Sequence, residues 1–413
     1  MNLSLLDPFA VAKEYPEVLF SKLEFGHSTL IKSSYNSDYL ASGTIDGDIV
    51  IIDLDTHGII KILRNHTRAI NSLRWSNCGR YLLSTSRDWK VNLWDLTANE
   101  PIRSLRFEGP IWQAEFSPKN QPFEIFISIF EDDCLFVNWE DKDDIRMSPI
   151  SVEGSEESSN HYILTGVYHP SGNFLFVGTN KGLVNIISTI DGSTLFTEKI
   201  TSSNVKNIIL SQTGYRIAVN FSDRIIRQFK IPDLVNEEPE NWVLEVEHKY
   251  QDVVNRLQWN SVSFNSNGEY LIASTFGSSH EIYIWETTMG SLVKILEGSK
   301  EELVDVDWNF KKCEIYAVGL DSGKIYMWGV IVPQKWSALA PDFVEIEENI
   351  EFMEREDEFD IIPENEMAQK NLELEEDIEV DLLTKDTIDA RGFSIEKSFV
   401  IPLKLEHSQN LFE

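Results

Sequence analysis

"NHTRAINSLRWSNCGRYLLSTSRDWKVNLWDL", residues Asn65 to Leu96, decides the fold. Its apolar side chains alternate with polar ones at the period of a strand, not of a helix. "INSLRW" stops at "SNCGR", "YLLSTS" stops at "RDW", and "KVNLWDL" completes the unit. The core of that pattern, an apolar strand, a tight polar turn and a second alternating strand, recurs along the chain. The other copies are "YLASGTIDGDIVIIDL", "IFISIFEDDCLFVNWE", "FLFVGTNKGLVNIIST", "RIAVNFSDRIIRQFKI", "YLIASTFGSSHEIYIWET" and "IYAVGLDSGKIYMWGV", making seven. Their second strands end near Asp53, Asp95, Glu140, Ser188, Lys230, Glu286 and Gly329, in steps of 42, 45, 48, 42, 56 and 43 residues. A fixed period of this size marks a repeat architecture, in which each unit covers its apolar faces only against its neighbours.

A further strand precedes each copy, as in "IWQAEFSPKN", "LTGVYHPSGN" and "VDVDWNFKK", which brings the count to four strands per repeat. Four strands make the blade of a β-propeller. Asn65 to Leu96 resembles the WD40 family most closely, because His66, Ser84, Asp88 and Trp94 fall where that family carries a structural hydrogen-bonded tetrad. Elsewhere the signature degrades: Asp53 lacks its Trp, Trp139 and Trp285 precede Glu, and Ile187 and Phe229 replace Trp. The expected fold is all-β, a seven-bladed WD40 propeller over residues 18–332 followed by an extended acidic tail. Residues 1–17 form an N-terminal extension. The last repeat stops after "KIYMWGV" without an outer strand, while "VLFSKLEF", Val18 to Phe25, precedes the first full repeat. An open edge is a hazard, so residues 18–25 are expected to close the last blade.

Composition agrees with a folded β protein. The chain has 413 residues, 42% hydrophobic and 11% aromatic, enough for a sizeable core and weighted towards strand formers. Cys78, Cys134 and Cys313 are scattered and odd in number, which argues against a disulfide framework and fits a reducing compartment. The N-terminus meets Asp7, Pro8, Lys13 and Glu14 before any long apolar run, so it does not read as a signal peptide, and no stretch approaches 18 apolar residues.

Motifs for chemistry are missing. There is no Walker loop, dinucleotide fingerprint, His-Glu-x-x-His or Gly-x-Ser-x-Gly, and no cofactor or metal is expected. The acids of "DGDIVIIDLD", Asp46 to Asp55, lack the Gly and terminal Glu of a calcium loop and flank an apolar strand. Lys61, Arg64, Arg68, Arg74, Arg80, Arg87 and Lys90 crowd a short basic stretch that could face nucleic acid. Strand alternation would instead point them in several directions, and that reading is preferred. A non-enzymatic platform with loops and a tail for partners remains.

The tail is the unusual part. Of a formal net charge of −32, residues Asp342 to Asp381 hold 18 Asp/Glu against Arg355 and Lys370 alone. A solvated acidic spacer should be poor in aromatics, yet Trp336, Phe343, Phe352 and Phe359 are spread through these acids. Such a segment suits partner surfaces, with acids on basic pockets and aromatics as anchors.

"KWSALAPDFVEIEENIEFMEREDEFDI", from Lys335, resembles the segment after the propeller in the retinoblastoma-binding protein 5 family, the WD40 subunit of COMPASS and related histone H3 lysine-4 methyltransferase complexes. "DRIIR" at Asp223, "QDVVNR" at Gln251 and "EIYIWETTMGSLVKILEG" at Glu281 resemble the same family within the blades. The resemblance implies a non-catalytic scaffold in the nucleus. It implies that residues 333–349 contact a SET-domain methyltransferase subunit through Trp336, Pro341 and Phe343. It implies that residues 350–362 bind a SPRY-domain subunit through Glu351, Phe352, Glu354, Glu356, Asp357, Glu358 and Phe359. Residues 375–386, with Ile378, Val380 and Leu382, match a motif that binds a second WD40 propeller. Arg224, Arg256 and Lys300 match bases that touch nucleosomal DNA, while the fourth such position falls near Phe276 and Gly277, where no base stands. Residues 387–413 form a C-terminal segment in which Phe393 to Leu405, "FSIEKSFVIPLKL", reads as a strand suited to docking back on a propeller. A ubiquitin-ligase substrate receptor is the alternative platform, but "LLDPFAVAKEYPEV" is too short and Pro-broken for its adaptor-binding helical segment.

Overall fold

The computed structural model describes residues 15–330, less residues 99, 120–121, 141–144, 151–161, 235–238, 253–255, 278–279 and 310, together with residues 399–402. The described residues form 28 strands in seven four-stranded antiparallel sheets, plus one short 3-10 turn at Pro239–Asn241. This is a seven-bladed propeller. Blades 1 to 6 are continuous in sequence, over residues 28–64, 70–106, 111–150, 163–199, 205–250 and 258–296. In each the chain runs from the innermost strand outward in order.

The seventh blade is composite. Its inner three strands are Leu303–Trp308, Glu314–Gly319 and Ile325–Gly329, and its outermost strand is Val18–Leu23 from the other end of the chain. Val18 pairs with Gly329, Leu19 with Trp328 and Leu23 with Ile325, around a bulge between Leu19 and Ser21. The strand ends at Leu23, two residues earlier than the apolar run implied.

The core is divided among seams. Seven apolar clusters each draw on two adjacent blades. The closing seam sets Ile31, Leu40, Val50, Ile52 and Leu54 of blade 1 against Leu23, Tyr316, Val318, Ile325 and Met327 of blade 7. Polar bonds pin the same seam. Asp307 of blade 7 accepts from the Ser33 amide at 2.7 Å and the Ser33 hydroxyl at 2.6 Å, and pairs with Lys32 at 2.9 Å. Asp305 accepts from the Ile31 amide at 3.1 Å and from the Ser261 hydroxyl of blade 6 at 2.7 Å. Burial opposes the Lys32 charge, but Asp307 and Asp305 outweigh it and hold the amine above its ordinary pKa.

One further segment reaches the propeller. Ile401 is only 3% exposed and joins Tyr39, Trp75, Leu82, Trp94 and Leu96 in the seam between blades 1 and 2, with Phe399 packed beside it. Its amide donates to the Tyr39 hydroxyl at 3.2 Å. Residues 399–402 form no strand. A side chain wedged between two complete sheets holds them, not a ladder; the rest of Phe393 to Leu405 lies outside the described residues.

Deleting residues 1–25 removes the outer strand of blade 7 and exposes the edge of Ile325–Gly329. The truncated chain is expected to aggregate, or to melt roughly 10 °C or more below the full chain, as loss of several kcal/mol requires. Unchanged melting in a calorimetric scan contradicts the latch.

Candidate functional site

His66, Ser84 and Asp88 stand in the geometry of a hydrolytic triad. A His66 ring nitrogen, Nδ1, lies 3.0 Å from Asp88, and Nε2 lies 2.8 Å from the Ser84 hydroxyl. Three facts disarm it. The Ser84 and His66 side chains are buried, and the Trp94 indole N–H donates to Ser84 Oγ at 2.9 Å. Burial pushes the His66 pKa down, so the ring is neutral, with Nδ1–H donating to Asp88 and Nε2 accepting from the Ser84 hydroxyl at 2.8 Å and the Asn92 amide at 3.0 Å. The amides of Thr67 and Lys90 also donate to Asp88, at 3.2 and 3.0 Å, and with His66 they keep its carboxyl below the usual range against the effect of burial. Every proton is committed, so the cluster ties the second and third strands of blade 2 to the connection before it. Among the described residues no group of three His, Cys, Asp or Glu could hold a metal ion. The Asp46 to Asp55 acids are drawn apart: Asp48 pairs with Arg64 at 3.2 Å and Asp55 with Lys312 at 2.5 Å.

The basic stretch disperses too. Arg74 pairs with Glu115, Arg80 with Asp95 at 2.7 Å, and Lys61 donates to the Leu96 carbonyl at 2.9 Å. Arg64, Arg68, Arg80 and Arg87 are exposed, with Arg64 and Arg80 drawn to Asp48 and Asp95. It is not one patch.

The bases at Arg224, Arg256 and Lys300 behave differently. In an antiparallel blade, the connection into the innermost strand and the turn between the second and third strands lie at the same end, here termed the upper face. Arg224 is in the second-to-third turn of blade 5, Arg256 in the connection into blade 6, and Lys300 in the connection into blade 7. All three are exposed on the upper face of consecutive blades. Asp223, the acid beside Arg224, is engaged by Arg227 at 2.6 Å and by the Ile225 amide at 3.1 Å.

Backbone strain marks this face. At the tip of the second-to-third turn, Gly47, Gly182 and Gly323 adopt φ of 96°, 73° and 66° in blades 1, 4 and 7. Trp89 and Arg224 hold the equivalent position in blades 2 and 5 at φ of 66° and 73°, and Arg256 sits at 51°. Such backbone disfavours a side chain by roughly 1–2 kcal/mol, a cost that glycine avoids in blades 1, 4 and 7. A fourth base completes the group. Lys206, on the innermost strand of blade 5, donates to the Trp259 carbonyl at 3.1 Å, and the Trp259 indole donates to the Arg224 carbonyl at 3.1 Å. Its ammonium also lies 5.4 Å from the ring centroid of Phe276, where the sequence has no base. Burial lowers the Lys206 pKa, partly offset by Glu302.

Comparison with known proteins places this geometry in a family. The model described as "WD domain, G-beta repeat" matches residues 58–95. The chain is 43% identical to "COMPASS component SWD1" of Saccharomyces cerevisiae over 97% of both chains. It is 44% identical to "Set1 complex component swd1" of Schizosaccharomyces pombe, over 87% of this chain and 90% of that one. The chain belongs to the Swd1 and retinoblastoma-binding protein 5 family. The Drosophila melanogaster "Retinoblastoma-binding protein 5 homolog" is a more distant member, 33% identical over 92% of this chain and 76% of its own. The crystal structure of the Cps50 (Swd1) β-propeller domain of Myceliophteria thermophila superimposes with a TM-score of 0.72 at 40% identity, covering 75% of this chain and 99% of that domain.

As a member of the Swd1 family the chain is a non-catalytic WD40 propeller, consistent with a triad whose groups are all engaged inside a blade. Trp336, Pro341, Phe343, the acids and aromatics of residues 350–362, and Ile378, Val380 and Leu382 all lie outside the described residues. Lys206 escaped sequence reading because only the inter-blade packing brings it beside Arg224 and Phe276. Replacing the strained arginine with glycine tests its part in the fold. Arg224→Gly is expected to leave the melting temperature unchanged or slightly raised in a thermal scan; a clear loss of stability assigns Arg224 a structural role instead.

Proposed function

We propose that this chain is a non-catalytic scaffold subunit of a COMPASS-type complex that methylates lysine 4 of histone H3, acting in the nucleus. Its near full-length 43% identity to a COMPASS component carries the reading. The propeller serves as the rigid platform. Its upper face at blades 5 to 7, with Arg224, Arg256, Lys300 and Lys206, meets nucleosomal DNA. In the tail, Trp336, Pro341 and Phe343 hold a SET-domain methyltransferase subunit in its active arrangement. Phe352 and Phe359 anchor a SPRY-domain subunit, whose basic groups face Glu351, Glu354, Glu356, Asp357 and Glu358. Ile378, Val380 and Leu382 engage a second WD40 propeller. Reconstitution with these partners tests the assembly as a whole, and a chain that captures none of them defeats it.

Two outcomes test the parts. Arg224→Glu with Arg256→Glu should weaken nucleosome binding and flatten its dependence on salt, by about one unit of logarithmic slope for each phosphate the protein no longer neutralises. An unchanged slope removes these residues from the DNA. In the tail, charge reversal of Glu354, Glu356 and Glu358 should abolish SPRY-subunit capture in a salt-sensitive way, because exposed pairs are screened over the ~8 Å Debye length of physiological salt. Phe343→Ala should leave that capture intact and lower histone H3 methylation by the assembled complex, since an aromatic anchor typically contributes roughly 2 kcal/mol. Full methylation with Phe343→Ala, or SPRY capture indifferent to charge, overturns the assignment.

A further inference from the structure

The innermost strand of every blade carries a bulge near its start, and in four blades the residue there clasps the next blade. Thr29 Oγ1 donates to the Ile70 carbonyl at 3.2 Å and Asn71 Nδ2 to the Ile111 carbonyl at 2.9 Å. Lys206 Nζ donates to the Trp259 carbonyl at 3.1 Å and Asn260 Nδ2 to the Leu303 carbonyl at 3.0 Å. Leu164 and Val304 hold the position half-buried in blades 4 and 7. Blade 3 places Trp112 there, and its side chain goes outward instead. Trp112 is 48% exposed and stacks on Phe130, itself 41% exposed, with centroids 6.1 Å apart and 27° between planes. The seam does not need Trp112, because the Ile163 carbonyl that a polar side chain would reach already accepts from the Ser128 hydroxyl at 2.9 Å. A large aromatic pair left half exposed where other blades place a polar clasp or a half-buried aliphatic departs from the pattern that builds the ring, and such departures concentrate at functional sites.

The charge around the pair defines what fits it. Phe130 opens a turn continuing through Glu131, Asp132 and Asp133, all exposed. Its amide donates to the Pro110 carbonyl at 2.9 Å, which joins that turn to the connection carrying the exposed Glu108. No ion pair among the described residues engages these four carboxylates. On the neighbouring blade, Arg87 is drawn to Asn71, its Nε 3.3 Å from Oδ1, and among the described residues no Lys or Arg lies over either ring. An aromatic face attracts an ammonium or guanidinium within about 6 Å of its centroid, and nearby carboxylates add to that attraction.

We propose that Trp112 and Phe130, with Glu108, Glu131, Asp132 and Asp133, form a docking surface for a lysine- or arginine-rich segment of another protein. A cationic side chain lies over the ring pair and the acids take the flanking bases. The surface is on blade 3, apart from the bases of blades 5 to 7, and it stands whether or not the methyltransferase reading holds.

The test uses the full chain labelled with 5-fluorotryptophan, with the Trp112 fluorine resonance identified by its absence in Trp112→Phe. Short peptides alternating Gly with Lys or with Arg should shift that resonance saturably. Glu131→Gln combined with Asp132→Asn and Asp133→Asn, substitutions that preserve shape and are expected to leave melting unchanged, should weaken the apparent affinity roughly tenfold. Phe130→Ala should weaken it similarly. A Gly-Glu peptide should leave the resonance where it is. The proposal fails if the basic peptides move only other tryptophan resonances, which would assign their capture to the acidic tail. It fails equally if a neutral Gly-Leu peptide shifts Trp112 as strongly, which would make the surface a simple apolar contact.

Discussion

A four-stranded sheet buried on both faces has no independent core, and this constraint governs the molecule. Each blade here covers its apolar faces only with the blades on either side, so the seven clusters are seven seams, and the one between blades 7 and 1 forms only when the ring closes. Closure joins segments roughly three hundred residues apart and therefore pays a loop-closure entropy that no local contact offsets. The chain gathers its contacts at that point: a strand ladder from Val18–Leu23 to Ile325–Gly329, an apolar seam, and two aspartates of blade 7 bonded to the backbone of blade 1. Asp305 goes further by also accepting from Ser261, so one carboxylate couples blades 6, 7 and 1 around the channel.

A closed ring leaves its ends free. Connections and turn tips contribute little to the seams, and their residues can depart from what the backbone prefers without opening a blade. Arg224 and Trp89 do this where blades 1, 4 and 7 use glycine. Trp112 does it where four blades use a polar clasp. The same repeat that makes the fold regular makes its exceptions visible, since each position can be compared with its equivalents in the same chain.

That comparison also explains what was legible in the sequence. The period and strand alternation announced seven blades, and the missing outer strand of the last repeat pointed to Val18 as its partner, because both follow from local pattern. The His66 cluster was read from resemblance to the WD40 family, and the bonds of His66 to Asp88 and Ser84 place it as that resemblance implied. Arg224, Arg256 and Lys300 were read by resemblance, yet nothing local showed that they share a face; that depends on which end of a strand each occupies. Lys206 was invisible because a lysine in an apolar strand looks like ordinary alternation until a bulge turns it across the seam. The burial of Ile401 between blades 1 and 2 was equally beyond local pattern, since the sequence showed an apolar run but not the gap that receives it.

A chain of net charge −32 is an unpromising ligand for DNA, and the arrangement of its charges decides whether it can be one. At physiological salt the field of a charge fades over about 8 Å, so distant acids do not cancel exposed bases grouped on three consecutive blades. Contact at short range therefore remains favourable where Asp223 is already neutralised by Arg227. Long-range steering depends on the summed charge and works against approach to a polyanion. If the proposed contact with nucleosomal DNA holds, such a chain adds to it at short range only, and its summed charge works against finding the polyanion unaided. On the proposed function, that balance suits a subunit carried within an assembly better than one that seeks DNA alone.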